Sequence, residues 1–221
     1  MTFDWAYAAA ILPALLEGLV ITVQATALGM VVALTLGLAM AVVRQGGPRW
    51  LGWSVGQFIE FVRSTPLLIQ LYFLFYVLPE IGVALSPLAT GILALGVHYA
   101  AYCAEVYRAG INGVSRGQWE AAASLGFSPW QSWRRVVLPQ ALPPVIPALG
   151  NYLVAMFKDT PLLSAITVME VLQVAKITGA ESFRYLEPLT LVGVMFLALS
   201  LAAAQLIRGL ERRYGRLGGA A

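Results

Sequence analysis

In a chain of 221 residues, 59% are hydrophobic and only 11% are charged, with a mean hydropathy of +0.77. A soluble domain carries roughly twice that charge, so most of this surface is matched to lipid, and the length suits a single domain over residues 1–221. The net charge of +3 is too small and too scattered for nucleic-acid binding, and the lone Cys103 excludes a disulfide framework or a cysteine-based metal site within the chain.

No basic region precedes the first apolar run. Asp4 and Glu17 stand there instead, so a cleaved signal peptide is not expected. Gly18 to Val43 is uncharged, bracketed by Glu17 and Arg44. As a helix it would reach roughly 39 Å, enough to cross a bilayer with some tilt. Gly18, Thr22, Thr26, Gly29, Ala33 and Gly37 recur at helical spacing within it. That stripe lets a second helix approach closely, either as a functional packing seam or as ordinary bundle packing.

The second span is built around FVRSTPLLIQLYFLFYVLP, uncharged from Ser64 to Pro79, with Glu60 and Arg63 ahead of it and Pro66 inside or at its start. The third is uncharged from Leu88 to Ala104 and opens on Ser86-Pro87, a cap followed by proline at the first helical position. The fourth begins in QALPPVIPALG and runs through NYLVAMFKDTPLLSAITVM; the fifth is uncharged from Leu189 to Ile207. The pattern predicts an all-α polytopic membrane protein with five transmembrane helices. Dividing the fourth at KDTP would make six.

Basic residues set the orientation. Arg44, Arg49, Arg108, Arg116, Arg134, Arg135, Arg208, Arg212, Arg213 and Arg216 fall on one side, against Lys176 and Arg184 on the other. The positive-inside rule then puts the N-terminus outside and the C-terminus in the cytoplasm, which an odd number of crossings satisfies and six does not.

Between the third and fourth spans lies a charged, polar interruption, EAAASLGFSPWQSWRRVVLP, at 120–139. Ser115 with Gln118 has the form of a capping box, and the helix it starts runs to Leu125 before Gly126 supplies a left-handed terminus. Ser128-Pro129-Trp130-Gln131 restarts at once as a second capping box, and Pro139 is expected to end that helix. Alanines on the first helix and Trp119, Phe127, Trp130 and Trp133 around it make a short, rigid handle for another surface.

Glu120-Ala121-Ala122, then Gly126, then Val136-Val137-Leu138-Pro139 resembles the EAA motif of bacterial ABC import permeases, with Val in place of the usual Ile. RSTPLLIQLYF at 63–73, AAYCAEVYRAGI at 100–111, LPQALPPVIPALGN at 138–151 and FKDTPLL at 157–163 are similar to the polar amino-acid uptake branch of that family, and together they cover most of the chain. The resemblance implies the type I ABC importer permease (MetI-like) fold. It makes residues 115–139 a cytoplasmic coupling hairpin, in which Glu120, Ala121, Ala122, Gly126, Leu138 and Pro139 meet the ATPase. It implies a dimer of ATP-binding subunits holding ATP-Mg, a second permease (the same chain or a paralogue), an extracytoplasmic solute-binding protein, and a place in the bacterial inner membrane. The chain has no G-x-x-x-x-G-K-[ST] loop, so no cofactor is expected in it and ATP hydrolysis falls to the partner. The N-terminal region is somewhat similar to members that import compatible solutes such as ectoine, and histidine, arginine, glutamine or glutamate fit the resemblance equally.

Ionisable residues within a span point to a pathway. Lys158 and Asp159 lie deep in the fourth span beside the Thr160-Pro161 break, and Asn151 and Ala155 share roughly their face. A Lys158–Asp159 ion pair holding the break is one reading; a cargo contact, favoured for Asp159 by the family's pocket in this region, is the other. On the second span Arg63, Ser64 and Thr65 precede Pro66, which frees a backbone carbonyl. Arg63 would suit a cargo carboxylate and Asp159 its ammonium, or Arg63 snorkels to headgroups. His98, Tyr102 and Glu105 form a stripe on the third span, where Glu105 is expected to bond Arg108 or a neighbouring helix. A secondary transporter or channel driven by an ion gradient is the alternative function, but no second half resembles the first as an inverted repeat would. An intramembrane enzyme would need a constellation that one His and one Cys do not supply.

Overall fold

The computed structural model describes residues 2–214, with side chains through residue 209, so the side chains of Arg212 and Arg213 and all of Arg216 lie outside the described residues. Within that range the chain is helical throughout, with no strand. In order come α1 (Trp5–Gly46), α2 (Arg49–Ser64), α3 (Leu67–Tyr72, prolonged by a π turn to Val77 and a 3₁₀ turn to Ile81) and α4 (Pro87–Asn112). Then follow α5 (Arg116–Ser124), α6 (Pro129–Ser132), α7 (Leu138–Asp159), a 3₁₀ turn (Thr160–Ile166), α8 (Val171–Ser182) and α9 (Leu186–Tyr214).

The first helix starts earlier than the uncharged run. Asp4 caps it, accepting from the N–H groups of Ala6 and Tyr7 at 3.0 and 3.1 Å, and Pro13 and Glu17 lie inside it. At 42 residues, α1 is roughly 63 Å long, about twice the hydrocarbon thickness, so Glu17 marks no boundary.

All six small residues of its stripe are buried. A Cβ on Gly37 would stand 2.8 Å from Cβ of Cys103, and one on Gly96 would stand 2.6 Å from Val32, so the stripe is the seam where α4 lies against α1. Thr22 extends it to α8: its hydroxyl accepts from the Val171 N–H at 3.2 Å and donates to the Gly18 carbonyl. Gly18, Thr22, Gly29 and Gly37 therefore hold helices of the same chain together.

Three helices, α1, α4 and the Leu186–Gly209 part of α9, are each long and apolar enough to cross a membrane. Two bent pairs bring the number to as many as five: 49–64 with 67–81 at 104°, and 129–166 with 171–182 at 48°. Thr-Pro-Leu-Leu stands at the first elbow, 65–68, and recurs at 160–163, where it opens the 3₁₀ turn ahead of the second bend at 167–170. The sequence pattern places Pro66 inside or at the start of the second span, and the fold puts it at the N-cap of α3, behind the amphipathic α2.

The ends of the bundle are tied by side chains. Glu105 bonds Arg44 of α1 and, at 2.7 Å, Arg108 of its own helix, so both expected partners are engaged. At the other end Arg184 reaches Asp4 at 3.2 Å and Glu187 at 2.8 Å, while the Tyr7 hydroxyl lies 2.6 Å from Ser182. The C-terminal ends of α1 and α4 are thus adjacent, as are the N-terminal ends of α1 and α9. These three helices run the same way.

Candidate functional site

Two places gather the residues singled out by sequence. The first is the hairpin. Gly126 has φ +73°, and its N–H and that of Phe127 return to the carbonyls of Ala123 and Ala122 at 2.9 and 3.1 Å, closing α5 with a left-handed residue. A Cβ at this position would meet nothing within 4 Å, so the backbone angle alone requires glycine. Ser128 and Gln131 form the complete capping box, with Pro129 in the first turn.

Two expectations fail here. Ser115 is an N-cap by backbone angle but makes no side-chain cap bond, and Gln118 instead accepts from Gln140 at 3.2 Å. A tertiary partner displaces the local one. Pro139 does not end the second helix either. The chain passes through a π turn at Trp133–Val137, where the Leu138 N–H bonds the Trp133 carbonyl, and continues as α7 to Asp159. The widened turn shifts pairing to i+5 and accommodates a residue with neither N–H nor room in a regular turn.

Glu120, Ala121, Gly126 and Pro139 are exposed, Leu138 is half-buried and Ala122 is buried against the hairpin. Leu125 and Trp130, 72% and 67% exposed, stand out beside them as a bare apolar surface. Trp119 and Trp133 meet edge to face at 5.4 Å beneath, and Trp133 lies against Gly46 at the end of α1. The handle is therefore fixed to the first long helix.

The second place lies between α2, α4 and α7. The Asp159 carboxylate accepts from the Tyr99 hydroxyl at 2.7 Å. Tyr99, Tyr102 and Tyr152 pack ring to ring, with centroids 5.6 to 6.2 Å apart. The Arg63 guanidinium sits over the Tyr102 ring, 5.3 Å from its centroid. A cation and a carboxylate, far apart in sequence, thus stand at two edges of one tyrosine cluster, an arrangement that can hold an amphoteric solute and stack its apolar part.

Other candidates are distributed differently. Lys158 forms no ion pair with Asp159 among the described residues, because neighbouring helical residues point about 100° apart: Lys158 is exposed while Asp159 turns to α4. Asn151 is exposed on the side of Lys158, Ala155 is half-buried, and Ser64 is exposed. The Thr65 hydroxyl donates to the Phe61 carbonyl at 3.0 Å and so closes the end of α2. The Thr160 hydroxyl closes α7 in the same way, donating to the Phe157 carbonyl, which Pro161 leaves without its helical donor, at 2.6 Å. Tyr99 and Tyr152 were not legible as site residues: the i,i+3 pair Tyr99–Tyr102 lies on α4, and its third ring comes from α7.

Residues 33–216 match the family described as the binding-protein-dependent transport system inner membrane component. The chain is 52% identical to a probable amino-acid ABC transporter permease, y4tG, of Sinorhizobium fredii, over 93% of this chain and 89% of the relative. It is 33% identical to the glutamine transport system permease GlnP of Escherichia coli, over 96% and 98% of the two chains. Among solved structures it superposes on an amino acid ABC transporter crystallised with histidines with a TM-score of 0.88 at 32% identity, covering 96% of this chain and all of that one. The methionine transporter MetNI, at 21% identity and a TM-score of 0.64, shares the fold. With its hairpin, its all-helical type I importer architecture and these likenesses, the chain belongs to the inner-membrane components of binding-protein-dependent ABC transport systems.

Proposed function

We propose that this permease conducts a polar amino acid, or a similar zwitterion, inward across the bacterial inner membrane along a path beside the Arg63–tyrosine–Asp159 cluster. That cluster is the observation that carries the reading. Arg63 receives the carboxylate, Asp159 the ammonium, and Tyr99, Tyr102 and Tyr152 the remainder. Relatives named as permeases for glutamine and for glutamate and aspartate support an amino-acid cargo.

Residues 115–139 are the handle for a dimer of ATPase subunits, which bind ATP-Mg and drive alternating access. A second permease completes the pathway, and a solute-binding protein loads it from outside. The parallel run of α1, α4 and α9, with one bent return between each, supports five crossings, and the arginine bias of the sequence favours an N-terminus outside.

The test is uptake into vesicles containing the permease, its ATPase and its binding protein. Labelled amino acids, with ectoine as a competitor, should accumulate only with ATP and with both partners present. Accumulation driven by a sodium or proton gradient, without the ATPase, would establish a secondary transporter instead.

A further inference from the structure

The elbow between α2 and α3 is held by a side chain that the cargo reading does not use. Pro66 has no N–H, so the Val62 carbonyl, four residues earlier, lacks its helical donor. The Gln70 amide supplies one: its Nε2 lies 2.8 Å from that carbonyl, 3.1 Å from the Thr65 carbonyl and 2.7 Å from the Thr65 hydroxyl. The side chain thus reaches back across the 104° bend. Its Oε1 faces the other way, 3.1 Å from Nδ1 of the buried His98 on α4. An amide oxygen only accepts, so this pairing places the imidazole proton on Nδ1. The His98 ring packs in turn on Tyr99 and Tyr102, at 5.5 and 5.3 Å.

We propose that Gln70, acting through His98, is a positioning residue of the transport site. It pins the elbow to α4, so that Arg63, three residues before the bend, stands over Tyr102 at a fixed separation from Asp159. The proposal rests on reading Arg63 and Asp159 as cargo contacts. The end of α2 does not depend on Gln70 for its own closure, since the Thr65 hydroxyl caps the Phe61 carbonyl and also reaches that of Val62, at 3.3 Å. What Gln70 adds is the tie to the neighbouring helix. It also borders an apolar cavity of about 430 Å³ lined by Phe61, Ile69, Phe73 and Val97, which has room for a leucine in its place.

The experiment compares wild type, Gln70→Leu, Arg63→Ala and the double variant, each assembled with the ATPase and the binding protein in vesicles. Gln70→Leu should reduce ATP-driven uptake roughly tenfold, about the worth of one hydrogen bond to a charged or buried group, and should lower the melting temperature in detergent by the same amount with or without Arg63. In the Arg63→Ala background it should cost no further uptake, because both changes remove the same contact. Equal losses of uptake in both backgrounds would mean that Gln70 merely supports the fold.

A second readout needs no transport. Nitroxides at positions 57 and 89, introduced in a Cys103→Ala background, should report one narrow α2–α4 distance that broadens with Gln70→Leu. An unchanged distribution refutes the tie even if the cargo reading stands, and a broadened one supports it even if wild type carries no amino acid.

Discussion

Gly126→Val isolates the hairpin from the rest of the fold. At φ +73° a β-branched residue is strained, at a cost of about 1–2 kcal/mol, and nothing within 4 Å of the new Cβ adds a clash. The whole penalty therefore falls on the turn, and the ratio of correctly aimed to misdirected α6 drops about 5- to 30-fold. The transmembrane helices are untouched, so insertion and melting should match wild type. ATPase co-purification and coupled uptake should both decline, and they should do so in a defined order. Asn, which tolerates the left-handed region, should lie nearest glycine, with Ala between it and Val. Uptake assays on the four proteins, alongside pull-down of the ATPase, read that order directly. Full coupling in Gly126→Val, or loss in Asn equal to loss in Val, would refute the geometric argument.

Asp159→Asn keeps an acceptor for the Tyr99 hydroxyl but removes the charge, and should lower uptake at least tenfold while insertion and ATPase assembly persist; adding Lys158→Met should not restore it, since no Lys158–Asp159 pair exists to be relieved, and a transporting double variant would contradict this. Gly37→Leu forces a side chain toward Cys103 and the Ala100 carbonyl, 2.8 and 2.9 Å from the ideal Cβ, and should destabilise by on the order of 1–3 kcal/mol in detergent melts, whereas Gly117→Ala, with open space around it, should be close to neutral. The Asp4 carboxyl is held below the usual carboxylate range, first by the Tyr7 N–H and then by Arg184. Its contribution is present above the unfolded value of about 3.9 and disappears as pH falls through the folded one. Melts of wild type and Asp4→Asn should therefore differ at pH 6 and converge once the pH has fallen below the folded value; a difference that persists with the carboxyl protonated would show that the carboxylate is not its source.

What the sequence discloses depends on how local the determinant is. Gly126 and the Ser128-Pro129-Gln131 cap act within four residues, and both behave as their residue types dictate. Ser115 and Gln118 have the same local form, yet Gln140, twenty-two residues away, takes the Gln118 amide. Pro139 reads as a helix stop, but a π turn over Trp133–Val137 carries the helix past it, and no residue pattern announces that widening. Glu105 and the small stripe on α1 were legible because a buried-side charge and a glycine seam each imply a neighbour. The tyrosine cluster was not, because Tyr152 enters from a helix fifty residues along the chain. Likewise, Lys158 and Asp159 are adjacent in sequence but point apart in space.

The most direct test is the structure of the assembled transporter, permease with ATPase and binding protein, captured with a labelled amino acid between loading and release. The account predicts the carboxylate within hydrogen-bonding distance of Arg63 and the ammonium within that distance of Asp159, with Tyr99, Tyr102 and Tyr152 around the remainder. An amino acid bound elsewhere along the pathway, with Arg63 still stacked on Tyr102 and Asp159 still bonded to Tyr99, would contradict it.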